Sequence, residues 1–348
     1  MDSNKRSSLI TAFLAALLFG AAAPVGKPLL THLNDFFMAG LLYLGAALGV
    51  SLVLLKEKSF QWPWKIRRRD VLKLTGSIFF GGILGPVLLL AGLRTAAAGS
   101  VSLWLNMEMV ATAVLGFLFF KDHLTPKGWL ASLGVLTAAT LLAWEGGQAG
   151  FKAGGLIALA CLSWGVDNHL TAVIDGITPA QITFWKGIVA GSVNTVIGLL
   201  IGFLPINPVY VIGALALGAV SYGLSILFYI TSAQQLGATR AQLIFSSAPF
   251  FGLLLAFFLG EGFTFIQLVA LILFLGSVFL LFKESHSHEH EHESLFHIHT
   301  HEHPSEHHAH DHPEIDAKSI RHSHEHEHIQ LIHNHPHWPD LHHRHRHR

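Results

Sequence analysis

Charged residues are scarce in this sequence, and cysteine is nearly absent. Asp, Glu, Lys and Arg make up 13% of the 348 residues and collect in short clusters. Between the clusters lie apolar stretches of about 17–25 residues, the length that a helix needs to cross roughly 30 Å of hydrocarbon. A soluble protein of this size spreads its charges along the chain, so the pattern excludes that class. Cys161 has no second cysteine with which to form an intrachain disulfide.

Lipid cannot satisfy free backbone polar groups, so each apolar run is predicted to be a helix. The sequence therefore predicts an all-α integral membrane protein with ten transmembrane helices. The first run follows Lys5 and Arg6, as in a signal peptide, but it is one of many similar runs and is interpreted as a first membrane helix. The predicted spans are approximately 9–29, 36–55, 71–93, 96–120, 129–144, 154–174, 182–204, 209–230, 241–259 and 265–282.

Lys and Arg are distributed unevenly between the two sides of the predicted bundle. With the N-terminus inside, eleven of them fall on the cytoplasmic side, and only Lys27, Arg94 and Lys152 fall outside. This bias favours that orientation. An even number of spans then places the C-terminus in the cytoplasm as well. The expected location is the cell membrane, which is the inner membrane in a prokaryote.

The apolar body carries a weak internal duplication. Phe19-Gly20 in the first span has a counterpart in Trp164-Gly165 of the sixth, and residues 119–125 are echoed by 258–264. Two halves of five helices each must insert with opposite orientations, which is the inverted-repeat pattern of secondary transporters. The predicted divisions are a first repeat at 1–146, a second at 147–283 and a tail at 284–348.

The fourth span and its counterpart resemble a known family. Leu105-Asn106-Met107-Glu108, leading into Phe119-Phe120-Lys121-Asp122-His123-Leu124, resembles the fourth span of EamA-type proteins in the drug/metabolite transporter superfamily. The segment from Pro249 to Glu261 is similar to the matching element of the second half. The resemblance covers nearly all of residues 8–283 and implies a ten-helix transporter of small solutes, often an exporter, without catalytic residues. The family usually has Pro after the intramembrane Glu, where this chain has Met109.

Ionisable groups at membrane depth are costly, so by default they face a cavity or a partner. Glu108 and Asp167 are predicted to line a central cavity that binds the substrate or a coupling proton. Asp167 and Lys186 lie in consecutive spans and would equally suit a structural ion pair. The predicted substrate-binding residues are Glu108, Asn106, Trp164, Asp167, Asn168, Lys186, Tyr222 and Ser246.

Other polar groups in the spans have plainer interpretations. Asn194, Ser247 and the predicted serine and asparagine residues could instead hold helices together. His169, beside Asp167 and Asn168, could be a metal ligand or a proton relay, although a lone histidine is more often a packing residue.

The tail after residue 284 contains 23 of the 26 histidines and repeats itself, with copies at 286–312 and 322–347. In an extended chain His-X-His places imidazoles on one face, and imidazole is a good ligand for Zn, Ni, Co or Cu ions. The tail is too polar to form a core, so the metal-free tail is predicted to be disordered. The predicted metal ligands are His286, His288, His290, His292, His322, His324, His326, His328, His342 and His343.

Three functions remain open at this level. The first is a secondary transporter that exports a small metabolite or drug-like solute, with a metal-binding cytoplasmic tail. The second is an exporter of divalent Ni, Co or Zn, and the third is a membrane-anchored metal buffer or sensor. No nucleophile–base pair or phosphate-binding glycine loop is present, so neither an enzyme nor a required cofactor is expected. The basic run Lys65–Arg69 is explained by topology, not nucleic-acid binding. The oligomeric state stays open, a homodimer included.

Overall fold

In the computed structural model the described residues are 3–57, 60–119, 126–174, 176–202, 207–236, 238–282, 287–292, 296–301, 322–327 and 331–336. Within these ranges nine apolar helices are long enough to serve as spans, and a tenth, shorter apolar helix follows them, in agreement with the predicted all-α membrane fold of ten helices. They are numbered here as spans 1 to 10. Their bounds are Ser7–Leu29, Asp35–Leu54, Arg68–Thr95, Ala98–Phe119, Pro126–Glu145, Gly147–Ala172, Pro179–Ile201, Pro208–Leu236, Arg240–Phe258 and Phe265–Phe282.

Capping residues fix where three of the spans begin. The Asn34 side chain accepts a hydrogen bond from the Phe37 amide at 2.7 Å and starts span 2. Thr178 and Asn207 cap spans 7 and 8 in the same way, and each is followed by a proline at the first helical position. Proline suits that position because its missing N–H would be unpaired there in any case. The polar residues between apolar runs therefore set the span boundaries.

Several spans are interrupted, and the interruptions recur five spans apart. Spans 3 and 8 each contain a π-helical segment, and spans 4 and 9 each contain a turn between two shorter helices. The π segments are Ile78–Leu84 and Gly218–Leu224. The helices of span 4 are Ala98–Trp104 and Met107–Phe119, and those of span 9 are Ala238–Phe245 and Ala248–Phe258. Span 1 also divides, into Ser3–Gly20 and Ala22–Leu29, and a short 3₁₀ turn lies at Pro63–Lys65.

The packing of the spans follows the same five-span relation. Span 2 packs along span 7, and span 5 packs along span 10. Span 1 lies against spans 8 and 9, as span 6 lies against spans 3 and 4. Exchanging each span for its counterpart leaves these four contacts in place, as expected for two inverted five-helix repeats around a central axis.

Glycines allow the central pair, spans 2 and 7, to approach closely. A Cβ on Gly191 would lie 2.8 Å from the Leu44 amide nitrogen, and one on Gly198 would lie 2.4 Å from that of Phe37. Small residues at such interfaces let two backbones approach in a membrane, where van der Waals packing holds helices together. The two repeats are therefore joined by a tight backbone-to-backbone contact at the centre of the bundle.

The tail is described in four short strands: β1 Ser287–His292, β2 Phe296–His301, β3 His322–Glu327 and β4 Leu331–Pro336. β1 pairs with β4 and β2 pairs with β3, both antiparallel, so each pairing joins one copy of the histidine repeat to the other. The sequence predicts a disordered tail. Apart from these four strands, the residues of the tail lie outside the described part of the chain.

Candidate functional site

A cavity lies inside the bundle, where spans 1, 2, 4, 6, 7, 8 and 9 meet. The space within it amounts to about 470 Å³, part of it open to solvent. The residues that line it are Phe19, Tyr43, Glu108, Trp164, Asp167, Asn168, Thr171, Lys186, Tyr222, Ile226, Tyr229, Ile230 and Phe245.

Asp167 and Lys186 form a buried ion pair on one wall of this cavity. The Lys186 ammonium lies 2.8 Å from Asp167 Oδ1 and 2.6 Å from Oδ2, and the lysine is 1% exposed. Gly81, in the π segment of span 3, makes room for the carboxylate, since a Cβ there would lie 2.0 Å from Asp167 Oδ2. The pair therefore joins spans 6 and 7 and compensates both charges within the site.

Glu108 lies on another wall, in the second helix of span 4. Asn168 Nδ2 is 2.9 Å from Glu108 Oε1, and it is also within 3.1 Å of Thr112 Oγ1 and of Gln242 Oε1. Spans 4, 6 and 9 thus converge on one amide. Among the described residues no Lys, Arg or His forms an ion pair with Glu108, which is 5% exposed.

The remaining walls are largely aromatic, and Phe19 is their centre. Its ring lies 6.0 Å from that of Trp164, 5.6 Å from Tyr222 and 5.2 Å from Phe245, measured between centroids. The Phe19–Trp164 contact joins the two residues whose Phe-Gly and Trp-Gly motifs are counterparts in the sequence. The matching glycines lie against matching spans, Gly20 against span 9 and Gly165 against span 4. The duplicated motif therefore brings both repeats to one point in the cavity.

The π segment of span 3 also orients two of the aromatic side chains. The Gly81 carbonyl accepts hydrogen bonds from Trp164 Nε1, at 3.0 Å, and from the Tyr43 hydroxyl. Asn194 Nδ2 similarly donates to the Gly82 carbonyl at 3.2 Å. A π bulge disturbs the regular pairing of helix carbonyls and frequently accompanies a functional site. Here the disturbed carbonyls hold side chains from spans 2, 6 and 7.

Two of the predicted site residues, Asn106 and Ser246, do not line this cavity. They lie at the turns that interrupt spans 4 and 9, where Asn106 Nδ2 donates to the Leu103 carbonyl and Ser246 Oγ to the Leu243 carbonyl. Side chains of this type bond to nearby backbone and so favour a turn. The turn in span 4, at Leu105 and Asn106, forms although this chain has Met109 at the position where the resemblance leads one to expect a proline.

The other six predicted residues in the spans, Glu108, Trp164, Asp167, Asn168, Lys186 and Tyr222, are brought together at the cavity. Phe19, Tyr43, Tyr229 and Phe245 were not predicted. Tyrosine offered a usable signal, because the chain has only four tyrosines and three of them line the cavity. Phenylalanine offered none, because the 25 phenylalanines are spread along the chain.

The structure says less about metal binding. His169 is buried and its Nε2 lies 2.8 Å from the Thr112 carbonyl oxygen, which links spans 6 and 4. No group of three or more His, Cys, Asp and Glu side chains suited to a metal ion occurs in the part of the chain that was described. The predicted histidine ligands of the tail have side chains outside that part.

A family model described as "EamA-like transporter family" matches residues 6–144 and again 152–283. These two matches cover most of the chain. The protein belongs to the EamA-like transporter family. It is therefore a membrane transporter of the drug/metabolite transporter superfamily, as its fourth span suggested.

Two further similarities are consistent with this EamA assignment. An "Uncharacterized transporter" of Methanothermobacter thermautotrophicus (strain ATCC 29096 / DSM 1053 / JCM 10044 / NBRC 100330 / Delta H) is 25% identical over 296 residues, covering 78% of this chain and 85% of the relative. A solved crystal structure, described only as a protein, has a TM-score of 0.61 at 16% identity and covers 79% of this chain and 95% of its own. The second similarity concerns the fold alone.

Proposed function

We propose that this EamA protein exports a small metabolite or drug-like solute by alternating access, with the central cavity as the solute site. The observation that carries the proposal is the position of the cavity. It lies where the two repeats meet and contains a carboxylate, an amide and an ion pair, which are expensive to bury in a membrane without a use. Secondary transporters with inverted repeats place their substrate sites at this junction.

Contacts at the end of the bundle away from the N-terminus support an alternating mechanism. The Glu261 carboxylate accepts hydrogen bonds of 2.9 Å from the amides of Ala98 and Gly99, and Lys27 lies 3.5 Å from it. Arg94 binds Asp35 at 2.6 Å. These polar contacts tie the ends of spans 1, 2, 3, 4 and 9 together. They suit a state in which the cavity is closed toward that face, and their rupture would open it.

We also propose that the N- and C-termini lie in the cytoplasm and that the protein resides in the cell membrane, the inner one in a prokaryote. The excess of Lys and Arg on the N-terminal face supports this orientation. In that arrangement the histidine-rich tail is a cytoplasmic appendage that binds Zn, Ni, Co or Cu ions, supported by the repeated His-X-His pattern of the sequence.

Everted vesicles from cells expressing the protein test the proposal. A labelled panel of amines, amino acids, sugars and organic acids is offered, and accumulation by wild type is compared with that by Glu108→Gln. The variant keeps the shape of the side chain and its neighbours but removes the charge. We expect the initial rate for each accepted solute to fall at least about tenfold, since a group that contacts the solute in a low-dielectric site contributes strongly.

Glu145→Gln serves as the matched control, because it makes the same chemical change at an exposed position at the far face. It should transport at the wild-type rate. The solute-site proposal fails if Glu108→Gln and Glu145→Gln both move every accepted solute as fast as wild type, with equal amounts of folded protein in the vesicles.

A further inference from the structure

The charges of the cavity wall do not balance. Three charged side chains line it, and two of them, Asp167 and Lys186, compensate each other through two short contacts. The third is Glu108, whose hydrogen bond from Asn168 is neutral. A carboxylate at membrane depth is stabilised by a positive partner. Within the described residues the wall supplies none, so the Glu108 carboxyl group is available to pair with a positive charge on a solute.

The aromatic walls also favour a positively charged solute. Phe19 touches Trp164, Tyr222 and Phe245, and the Tyr229 ring lies 5.1 Å from that of Phe245. The rings come from spans 1, 6, 8 and 9 and line one continuous cavity with Glu108. The face of an aromatic ring attracts a cation, and several rings around one space form a cage that suits an ammonium group.

One polar atom in this cage has no partner among the described residues. The Tyr229 hydroxyl is buried and forms no hydrogen bond with any of them, although the residue lines the cavity. A buried hydroxyl without a partner is costly. An N–H donor from a bound solute would satisfy it, and a protonated primary amine has three such donors.

A carboxylate on the solute would find no comparable partner. Among the described residues that line the cavity, Lys186 is the one cationic side chain, and both of its short contacts go to Asp167. We propose that the cavity binds a compact organic cation, an amine with an apolar body and no free carboxylate. This inference rests on the proposed function and names the class of solute at the same site.

Four phenyl compounds that differ only in their polar groups test the inference. They are 2-phenylethylamine, a cation; phenylalanine, which adds a carboxylate; 3-phenylpropionate, which has the carboxylate alone; and 2-phenylethanol, which is neutral. Equilibrium binding of labelled 2-phenylethylamine to the purified full-length protein is measured at neutral pH, with the other three as competitors. We expect saturable binding, with phenylalanine at least about tenfold weaker and the anion and the alcohol weaker still.

Variants locate the binding in the cavity. Glu108→Gln should weaken the binding of 2-phenylethylamine by about tenfold or more. Glu108→Asp, which keeps the charge, should retain the preference for the amine over phenylalanine. Tyr229→Phe removes only the Tyr229 hydroxyl. It should weaken the binding of the primary amine but not that of benzyltrimethylammonium, which has no N–H donor. Glu145→Gln should bind as wild type does.

The outcomes separate the inference from the proposed function. Equal or tighter binding of phenylalanine, competition by 3-phenylpropionate, or full affinity in both Glu108→Gln and Tyr229→Phe overturns the cation site. If the protein transports neutral or acidic solutes through a Glu108-dependent step and binds no amine, the solute class is wrong and the transporter stands. If no solute of any class is bound or transported, both are wrong.

Discussion

At the scale of single residues, small side chains decide how the charged ones are placed. Asp167 lies directly over Gly81, and Trp164 lies over Gly85, where a Cβ would be 2.7 Å from the indole nitrogen. The charged residues themselves were predictable, because a charge within an apolar run is conspicuous. Whether Asp167 pairs with Lys186 depended on a distance across two helices, and the structure shows the pair. Which glycines make room for it could not be read from the sequence, because glycine also serves ordinary helix packing.

Replacing Gly81 with alanine should destabilise the protein. The new Cβ would overlap the Asp167 carboxylate, which Lys186 holds in place, and overpacking of this kind costs roughly 1–3 kcal/mol. We expect a lower free energy of unfolding, measured by denaturant titration in one detergent.

Gly155→Ala is the matched control, since no atom lies within 4 Å of a Cβ at that position in span 6. It should leave stability unchanged or raise it by about 0.5–1 kcal/mol, because alanine favours a helix over glycine. Equal stability of the two variants would show that the Asp167–Lys186 pair tolerates displacement and is not held by Gly81.

At the scale of elements, the interruptions of the spans matter more than the spans themselves. The π segments, the turn before Glu108 and the bend after span 9 position the polar groups of the bundle. At that bend Gly260 has φ of 95°, a conformation open to glycine, and the following Glu261 caps the first helix of span 4. The sequence predicted the existence of each span from its length and hydropathy. It did not predict the π segments, and in span 3 the displaced carbonyls of Gly81 and Gly82 accept hydrogen bonds from side chains of other spans, which no local pattern shows.

Glu261→Gln should loosen the far face of the bundle. The amide keeps the size of the side chain but loses the charge that strengthens its bonds to Ala98, Gly99 and Lys27, where charge-assisted hydrogen bonds are roughly twice as strong as neutral ones. A cysteine at Tyr222, introduced with Cys161→Ser, reports access to the cavity. In the Glu261→Gln variant this cysteine should react about threefold faster or more with an impermeant maleimide added at that face than it does with Glu261 intact.

The same substitution at the exposed Glu145 should leave that labelling rate as it is. An unchanged rate in Glu261→Gln would mean that Glu261 stabilises the loop without closing the cavity, and the far-face contacts would then be structural only.

At the scale of the whole molecule, two duplications of different kinds share one chain. The body repeats with inverted orientation and joins its halves around a cavity. The tail repeats in tandem, and its described strands pair one copy with the other. The residues of the cavity and of the far-face contacts all lie between residues 19 and 261, so the body contains what the proposed transport requires.

Removal of residues 284–348 should therefore leave solute transport in everted vesicles at the wild-type rate. It should abolish most Ni²⁺ binding in equilibrium dialysis, because neutral imidazoles are the ligands that this ion prefers. The full-length protein, assayed in parallel, is the control.

Loss of metal tolerance in cells that express the truncated protein, with a matching rise in cell metal content, would instead favour a body that exports metal delivered by the tail. If the isolated tail protected cells against metal as well as the whole chain does, this would favour a metal buffer or sensor.

Hydropathy and charge alone determined that this protein is a ten-helix membrane protein with a histidine-rich tail, because the cost of exposing polar backbone to lipid leaves few alternatives. The fourth span and its counterpart in the second half suggested the family. The tertiary structure decided which side chains share a cavity and that aromatic rings from both repeats line it. It also decided that Asp167 pairs with Lys186, whereas Glu108 pairs with no cation among the described residues. These facts depend on contacts between residues more than two hundred positions apart, which no local pattern specifies.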